Sequence, residues 1–308
     1  MKYSIVVPVY NEEENVAHLH AEIVETMEHI GDAYEILFID DGSSDGTVAA
    51  VKALSPVTLI QLRRNFGQTA AMDAGIKQAS GEIIITMDGD GQNPPHEIPK
   101  LIQAMNETGA DIVSGWRKHR KDTFFKKFVS RGANLLRSIL VKDEIHDSGC
   151  SLKAYKRECF ENVDLFGEMH RFIPAVLSWS GFSITEVVVE HRQRMHGTTK
   201  YNWRRILKGF IDMTAVWFWR KYSSRPLHLF GFIAFIFNVI GGSLFVWLFI
   251  QRMLLHQPIG DSNLPLLAVF LIIVGVQFFV SGLLADILVK NYYTGDRRPY
   301  GIKEVVQL

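Results

Sequence analysis

The chain has 308 residues, 47% of them hydrophobic, and 33 basic residues balance 33 acidic ones. That length suits one large domain or two ordinary ones, and a net charge of +0 gives no global basic field pointing to nucleic acid. Two cysteines, Cys150 and Cys159, build no disulfide framework and match no zinc spacing, so they are read as reduced thiols on the cytosolic side. The opening stretch Met1–Pro8 is too short to be a signal peptide. It reads instead as a first strand, the β-branched run Tyr3 to Val9. Asn11 is placed to cap a following helix, with Glu12, Glu13 and Glu14 at its positive end.

Glu35 to Asp40 predicts a second strand, and Asp41 to Gly46 a turn. Val57 to Leu62 predicts a third strand, and Gly67 to Ala79 a helix. Glu82 to Met87 predicts a fourth strand ending at Asp88, and Pro94 and Pro95 open another helix. Asp111 to Ser114 predicts a fifth strand. Strands alternating with helices predict an α/β fold with a mostly parallel sheet covered on both faces. Ligands of such sheets sit beyond the carboxyl ends of the strands. The polar clusters Tyr10-Asn11-Glu12, Asp40-Asp41 and Asp88-Gly89-Asp90 all fall at strand ends.

From residue 120 to 141 the character changes. Phe124, Phe125, Phe128, Leu135, Leu136 and Ile139 fall at helical spacing among Lys126, Lys127, Arg131 and Arg137. This is a basic amphipathic helix, suited to an anionic membrane surface or to a core with a solvated basic side. Residues 201–225 repeat the theme, with Trp203, Trp217, Phe218 and Trp219 beside Arg204, Arg205, Arg220 and Lys221. Aromatic residues next to basic ones mark a membrane interface. Two apolar runs follow, Leu227 to Ile250 and Leu264 to Val289. Each exceeds the roughly 20 residues that span a bilayer. Asn238 and Asp286 are their polar exceptions. The loop between the runs carries Arg252, whereas the flanks carry Arg220, Lys221, Arg225, Lys290, Arg297, Arg298 and Lys303. By the positive-inside rule, the amino-terminal domain and both termini are cytoplasmic. The expected organisation is a catalytic domain over residues 1–200, an interfacial helix over 201–225, and two membrane helices with a short tail over 226–308.

Asp88-Gly89-Asp90 puts two carboxylates on a tight turn, with Gln92 two residues on. Such a turn can present both to Mg²⁺ or Mn²⁺, hard ions that complete their shells with substrate phosphates. A nucleotide diphosphate is such a substrate, and the ion would neutralise the leaving group. No G-x-G-x-x-G or G-x-x-x-x-G-K-[ST] element occurs, which counts against dinucleotide oxidoreductases and P-loop enzymes.

With these motifs in view, the chain resembles family 2 inverting glycosyltransferases of the polyprenyl-phosphate type, such as dolichol-phosphate mannose synthases and bactoprenol glucosyltransferases. The resemblance is carried by Val7-Pro8-Val9-Tyr10-Asn11-Glu12, Asp40-Asp41-Gly42-Ser43, Arg64-Asn65-Phe66-Gly67 and Met87 to Gln92. Asp147-Ser148-Gly149, Met169-His170-Arg171-Phe172, and Arg194 with Gly197-Thr198-Thr199-Lys200-Tyr201 complete it. It covers essentially the whole chain. It implies a Rossmann-like nucleotide-sugar domain of the GT-A type, followed by interface helices and two transmembrane helices. It implies that Pro8, Tyr10 and Glu12 line a base pocket, with Asp40 and Asp41 near base and ribose. Asp88, Asp90 and Gln92 would hold the metal and diphosphate, and Arg117, Arg131, Arg194 and Lys200 would meet the phosphates of donor and acceptor. Gly89 departs from the Ala that many relatives carry. Asp147 has three readings: orienting the sugar, acting as a base, or capping the turn before Gly149. His170 and Arg171 either pack together or position the sugar.

A polyprenyl or dolichyl phosphate acceptor fits this residue set. A phosphate monoester has its second pKa near 6 and is already ionised at neutral pH. It can attack an anomeric carbon without a dedicated base, which a hydroxyl acceptor would need. It does need cations, and the arginine fork suits phosphate oxygens. The expected donor is GDP-mannose or UDP-glucose. Two alternatives remain at this level. A processive polysaccharide synthase would carry a Q-x-x-R-W motif, which is missing here. A non-catalytic binding protein would have no use for the Asp88/Asp90 pair. Oligomers are common among proteins it resembles that carry this tail, so the resemblance is compatible with a homo-oligomer, a homotetramer among the forms.

Overall fold

A computed structural model describes residues 1–118, 145–192 apart from 162, 166 and 168, 225–255 and 263–293, with 214, 217, 218, 221 and 222. The chain divides into two compact units, Met1–Val216 and Trp217–Leu308.

The first unit is built on a seven-stranded sheet in the order β3-β2-β1-β4-β6-β5-β7. The strands are β1 (Tyr3–Val9), β2 (Tyr34–Asp40), β3 (Thr58–Gln61), β4 (Ile83–Thr86), β5 (Ile112–Trp116), β6 (Lys153–Lys156) and β7 (Ile184–Val188). All pairs are parallel except those made by β6, which runs reversed between β4 and β5. The helices are α1 (Val16–Ile30), α2 (Thr47–Lys52), α3 (Gln68–Gln78), α4 (Ile98–Thr108) and α5 (Ile173–Trp179).

Every residue of β1 is buried. Its alternate side chains serve two cores, as the two-residue period of a strand requires. Tyr3, Ile5, Val7 and Val9 join Leu19, Ile23 and Met27 of α1 and Leu101 and Met105 of α4. Val6 points the other way, to Ala71, Met72 and Ile76 of α3 and Ile173 and Leu177 of α5. Helices on both faces explain why the central strands read as continuous apolar runs. The strand order turns around at β1, with β2 on one side and β4 on the other. That reversal opens a crevice beyond the carboxyl ends of β1 and β4.

The expected parallel α/β sheet is present, with strand limits within two residues of those read from sequence at β1 to β5. Asn11 does not cap α1, however; the helix starts at Val16 with Asn15 before it. Asn11 has a left-handed backbone, φ 56. Its side-chain oxygen accepts from the Ser44 amide at 2.9 Å, and its own amide donates to Ser43 Oγ at 2.9 Å. Asn is among the few residues that adopt this conformation readily, and here it ties two loops together.

In the second unit, α6 (Pro226–Leu255) and α7 (Leu264–Tyr293) are both long and apolar enough to cross a membrane. They pack on each other at small residues. A Cβ at Gly275 would overlap the Asn238 side chain, and one at Gly241 would come within 3.0 Å of the Ala268 carbonyl. Asn238 is satisfied within its own helix, donating to the Ala234 carbonyl at 2.8 Å. Asp286 pairs with Lys290 one turn on, at 3.1 Å. The remaining surface is greasy, with Phe232, Phe235, Leu254 and Leu288 each more than 60% exposed. Exposed apolar area on this scale suits hydrocarbon rather than water.

Candidate active site

Beyond β1 and β2, three loops are laced into one rim. Both carboxylate oxygens of Asp41 accept backbone amides, from Phe66 at 2.7 Å and Gly67 at 2.9 Å. Asp40, fully buried, accepts the Ser43 amide at 3.2 Å. Gly42 has φ 73, and a Cβ there would overlap the backbone of Arg64 and Asn65. Only glycine meets both demands. The Glu12 amide donates to Thr47 Oγ1 at 2.9 Å, joining the first loop to α2. Asp40 and Asp41 thus build the rim, and Tyr10 and Phe66 are exposed aromatic side chains on it, with the Arg64 guanidinium 4.2 Å from the Phe66 ring centre. Pro8 is buried in β1.

The Asp-x-Asp turn lies at the mouth of the crevice. A Cβ on Gly89 would sit 2.6 Å from Val9 Cγ1 and 3.1 Å from the Pro8 carbonyl, so the turn lies flat against the end of β1. The Asp88 amide donates to Ser151 Oγ at 3.1 Å, and its Oδ1 accepts from Gln68 Nε2 at 2.6 Å. Asp90 Oδ1 accepts the Gln92 amide at 3.1 Å, closing the turn on itself. Burial and the neighbouring Asp90 carboxylate push the Asp88 carboxyl above its ordinary value, while Ser151, Lys153 and Gln68 pull it back. A half-buried carboxylate with a second one beside it on the same turn is the donor set a hard divalent cation relieves. The residues therefore fit Mg²⁺ or Mn²⁺.

Across the crevice, beyond β5, Arg117 grips Asp147. Nε meets Oδ2 at 2.7 Å and Nη2 meets Oδ1 at 2.9 Å, and the Arg117 amide adds a third bond at 3.2 Å. Burial alone would raise the Asp147 carboxyl, but the Arg117 fork overrides it and holds the group below its ordinary value. His146 stacks on Trp116 with ring centres 4.5 Å apart, and the Glu186 carboxylate accepts the His146 amide at 2.9 Å. This fixes the turn just before Asp147. Cys150 and Cys159 are free thiols, as expected, and buried. Burial pushes the Cys150 thiol up to about 11, which keeps it protonated and inert.

A short 3₁₀ turn, Met169–Arg171, docks on the start of α3. His170 Nδ1 lies 2.8 Å from Thr69 Oγ1, and Arg171 Nε donates to His170 Nε2 at 3.3 Å. A guanidinium only donates, so Nε2 is the acceptor in this contact. The two residues form a packed pair beside Gln68, the residue that reaches Asp88. Arg131, Arg194 and Lys200 lie outside the described residues, as do the expected helix over 120–141 and most of that over 201–225. Arg192, the last described residue before Arg194, is anchored by its amide to the Gln92 carbonyl at 2.8 Å. A separate trio, His96, Glu97 and Glu190, brings its ligand atoms within 4.8 Å of one another. Lys100 already pairs with Glu97 there at 2.7 Å.

Comparison with known proteins decides what this arrangement belongs to. Residues 4–164 match glycosyl transferase family 2. The dodecaprenyl-phosphate galacturonate synthase of Rhizobium johnstonii is 35% identical over 314 residues, covering 99% of this chain and 93% of that protein. The chain belongs to glycosyl transferase family 2. A second relative of this glycosyltransferase, the undecaprenyl-phosphate 4-deoxy-4-formamido-L-arabinose transferase of Salmonella paratyphi B, is also 35% identical, over 99% of this chain and 94% of its own. Among solved structures, mannosyl-3-phosphoglycerate synthase from Rubrobacter xylanophilus superposes with a TM-score of 0.57 at 17% identity, over 70% of this chain and 73% of its own. Glucosyl-3-phosphoglycerate synthase from Mycobacterium tuberculosis, in complex with Mn²⁺ and UDP-glucose, gives 0.53 at 15% identity, over 71% and 78%. These two share the fold.

The candidate site contains side chains that sequence reasoning passes over. Gln68 and Ser151 bond to Asp88 from distant segments, and the Lys153 charge acts on it from a third. Only Gln68 carries a local hint, as the first residue of a helix that follows a glycine.

Proposed function

We propose that this glycosyltransferase moves one sugar from a nucleotide-diphosphate sugar to a polyprenyl or dolichyl phosphate, with inversion, using Mg²⁺ or Mn²⁺. One observation carries the reading. Similarity to two enzymes named for polyprenyl-phosphate sugar transfer runs over 99% of the chain, through both apolar helices. A likeness confined to the sugar-nucleotide domain would say nothing about the acceptor.

In this reading Asp88, Asp90 and Gln92 hold the divalent ion, which when bound neutralises the diphosphate leaving group. Tyr10 and Phe66 are the exposed aromatic surfaces of the rim, available to the base. An acceptor phosphate oxygen attacks the anomeric carbon as the bond to the diphosphate breaks, and that electron pair leaves with the nucleoside diphosphate. Asp147, gripped by Arg117 and held in its ionised form, is a poor proton acceptor. Its role is to aim Arg117, whose remaining N–H groups meet phosphate oxygens, joined by Arg131, Arg194 and Lys200. An ionised phosphate needs no base, so the lack of a basic role for Asp147 fits. The basic flanks of the two apolar helices orient the catalytic domain and both termini to the cytoplasm.

The donor expected from sequence was GDP-mannose or UDP-glucose, and the names of the relatives add a galacturonate and a formamido-arabinose to the candidates. A panel of radiolabelled nucleotide sugars, incubated with the purified full chain and undecaprenyl phosphate, identifies the donor by label in the lipid phase. On that donor, Asp90→Asn should lower turnover by about 100-fold or more, the scale of several kcal/mol of leaving-group stabilisation. Undiminished turnover of this variant would remove the metal from the account.

A further inference from the structure

One short segment links the Arg117 pair to the Asp-x-Asp turn. The Asp147 carboxylate holds Arg117, and the Cys150 amide closes the turn on the Asp147 carbonyl at 3.4 Å. Ser151 Oγ accepts from the Asp88 amide and from Asn93 Nδ2, and the Ser151 carbonyl accepts from Thr86 Oγ1 at 2.9 Å. The segment ends at Lys153, the first residue of β6, whose neighbours across the sheet are Thr86 on β4 and Ser114 on β5.

Lys153 is 2% exposed. A lysine at the end of a strand beside a crevice would ordinarily extend its ammonium to water. This one turns inward, and its Nζ donates to the Ser148 carbonyl at 3.2 Å. Burial of an ammonium is expensive unless opposite charge lies close. Burial pulls the Lys153 ammonium below its ordinary value, while the Asp147 and Asp88 carboxylates act to keep it charged. An apolar side chain would stabilise the fold at least as well as a buried ion of this kind. A charge kept at such cost beside the Asp147 and Asp88 carboxylates points to a role in the reaction.

We infer that Lys153 is a positioning residue for sugar transfer: its buried ammonium holds the Ser148 carbonyl, and so fixes the Asp147 carboxylate that aims the Arg117 fork. The inference rests on the reading of the site as one for sugar transfer to a phosphate. It makes Lys153 and Arg117 one unit, with Asp147 as the link. Residues that act as a unit lose activity non-additively.

The test uses the full-length protein, the donor found by the panel, and undecaprenyl phosphate. Lys153→Met should lower kcat about 100-fold, and Lys153→Arg should recover all but about tenfold of that loss. Arg117→Gln with Lys153→Met should be no more than about twofold slower than Arg117→Gln alone. A Lys153→Met enzyme with wild-type kcat, or losses that multiply in the double variant, would overturn the inference. If the Met variant does not fold, Lys153→Gln replaces it; this side chain is polar and uncharged, and it is one atom too short to hold the Ser148 carbonyl that Lys153 Nζ meets at 3.2 Å. Slow Gln and active Arg support the role, and a Gln variant as fast as wild type overturns it. Wild-type protein that labels no lipid with any donor overturns the functional reading, and the inference with it.

Discussion

Asp147 shows how one carboxylate acquires a role through its neighbours. From sequence it had three readings: sugar-orienting group, base or turn cap. The structure binds both of its oxygens to Arg117, with side chains 9% and 18% exposed. Breaking a buried pair by removing one charge costs about 3–5 kcal/mol, because the other charge is left stranded. Asp147→Asn should therefore lower folding stability by about 3 kcal/mol near neutral pH. The pH dependence has a definite sign. The Asp147 carboxyl sits below its ordinary value in the folded protein. Its stabilising contribution is thus complete above the unfolded-state value, about 3.9, and disappears as pH falls through the lower folded value. The gap in urea midpoint between wild type and Asp147→Asn should persist at pH 5 and close only in stronger acid. A gap that closes between pH 6 and 5 would contradict the pair as described.

At the scale of elements, legibility followed the range of the forces involved. The central strands β1, β2 and β4 were readable because burial on both faces leaves an unbroken apolar run. Strand β6 was not. It has four residues, two of them lysines, and its place between β4 and β5 comes from pairing with segments more than 35 residues away. Strand β7 and helix α2 are similarly short, and tertiary contacts rather than propensity fix them. The start of α1 was misplaced because Asn11 bonds to a neighbouring loop instead of capping, a competition open to short polar side chains. The Asp-x-Asp turn was legible, being contiguous in sequence; Gln68, Ser151 and Lys153 were not, since only folding brings them to it. The apolar helices α6 and α7 were the easiest of all, by length alone. Their packing adds a testable detail. Gly275 faces Asn238 so closely that Gly275→Leu should part the helices, at a cost of about 1–3 kcal/mol. The expected result is a lower aggregation midpoint on heating in mild detergent, and an unchanged midpoint would contradict that packing.

At the scale of the whole molecule, the chain is a family 2 glycosyltransferase that carries its own pair of membrane-length helices. The Asp-x-Asp turn, as the proposed metal site, would account for a nucleotide-sugar donor. It does not choose an acceptor. The proposed acceptor follows from the full-length likeness to polyprenyl-phosphate enzymes and from a site whose best-placed carboxylate, Asp147, is already committed to an arginine. Both point to an acceptor that arrives ionised. The most direct test compares undecaprenyl phosphate with undecaprenol, using the full-length protein and its labelled donor in the same vesicles. The account predicts label in the lipid phase with the phosphate and none above background with the alcohol. Comparable transfer to the free alcohol would contradict it.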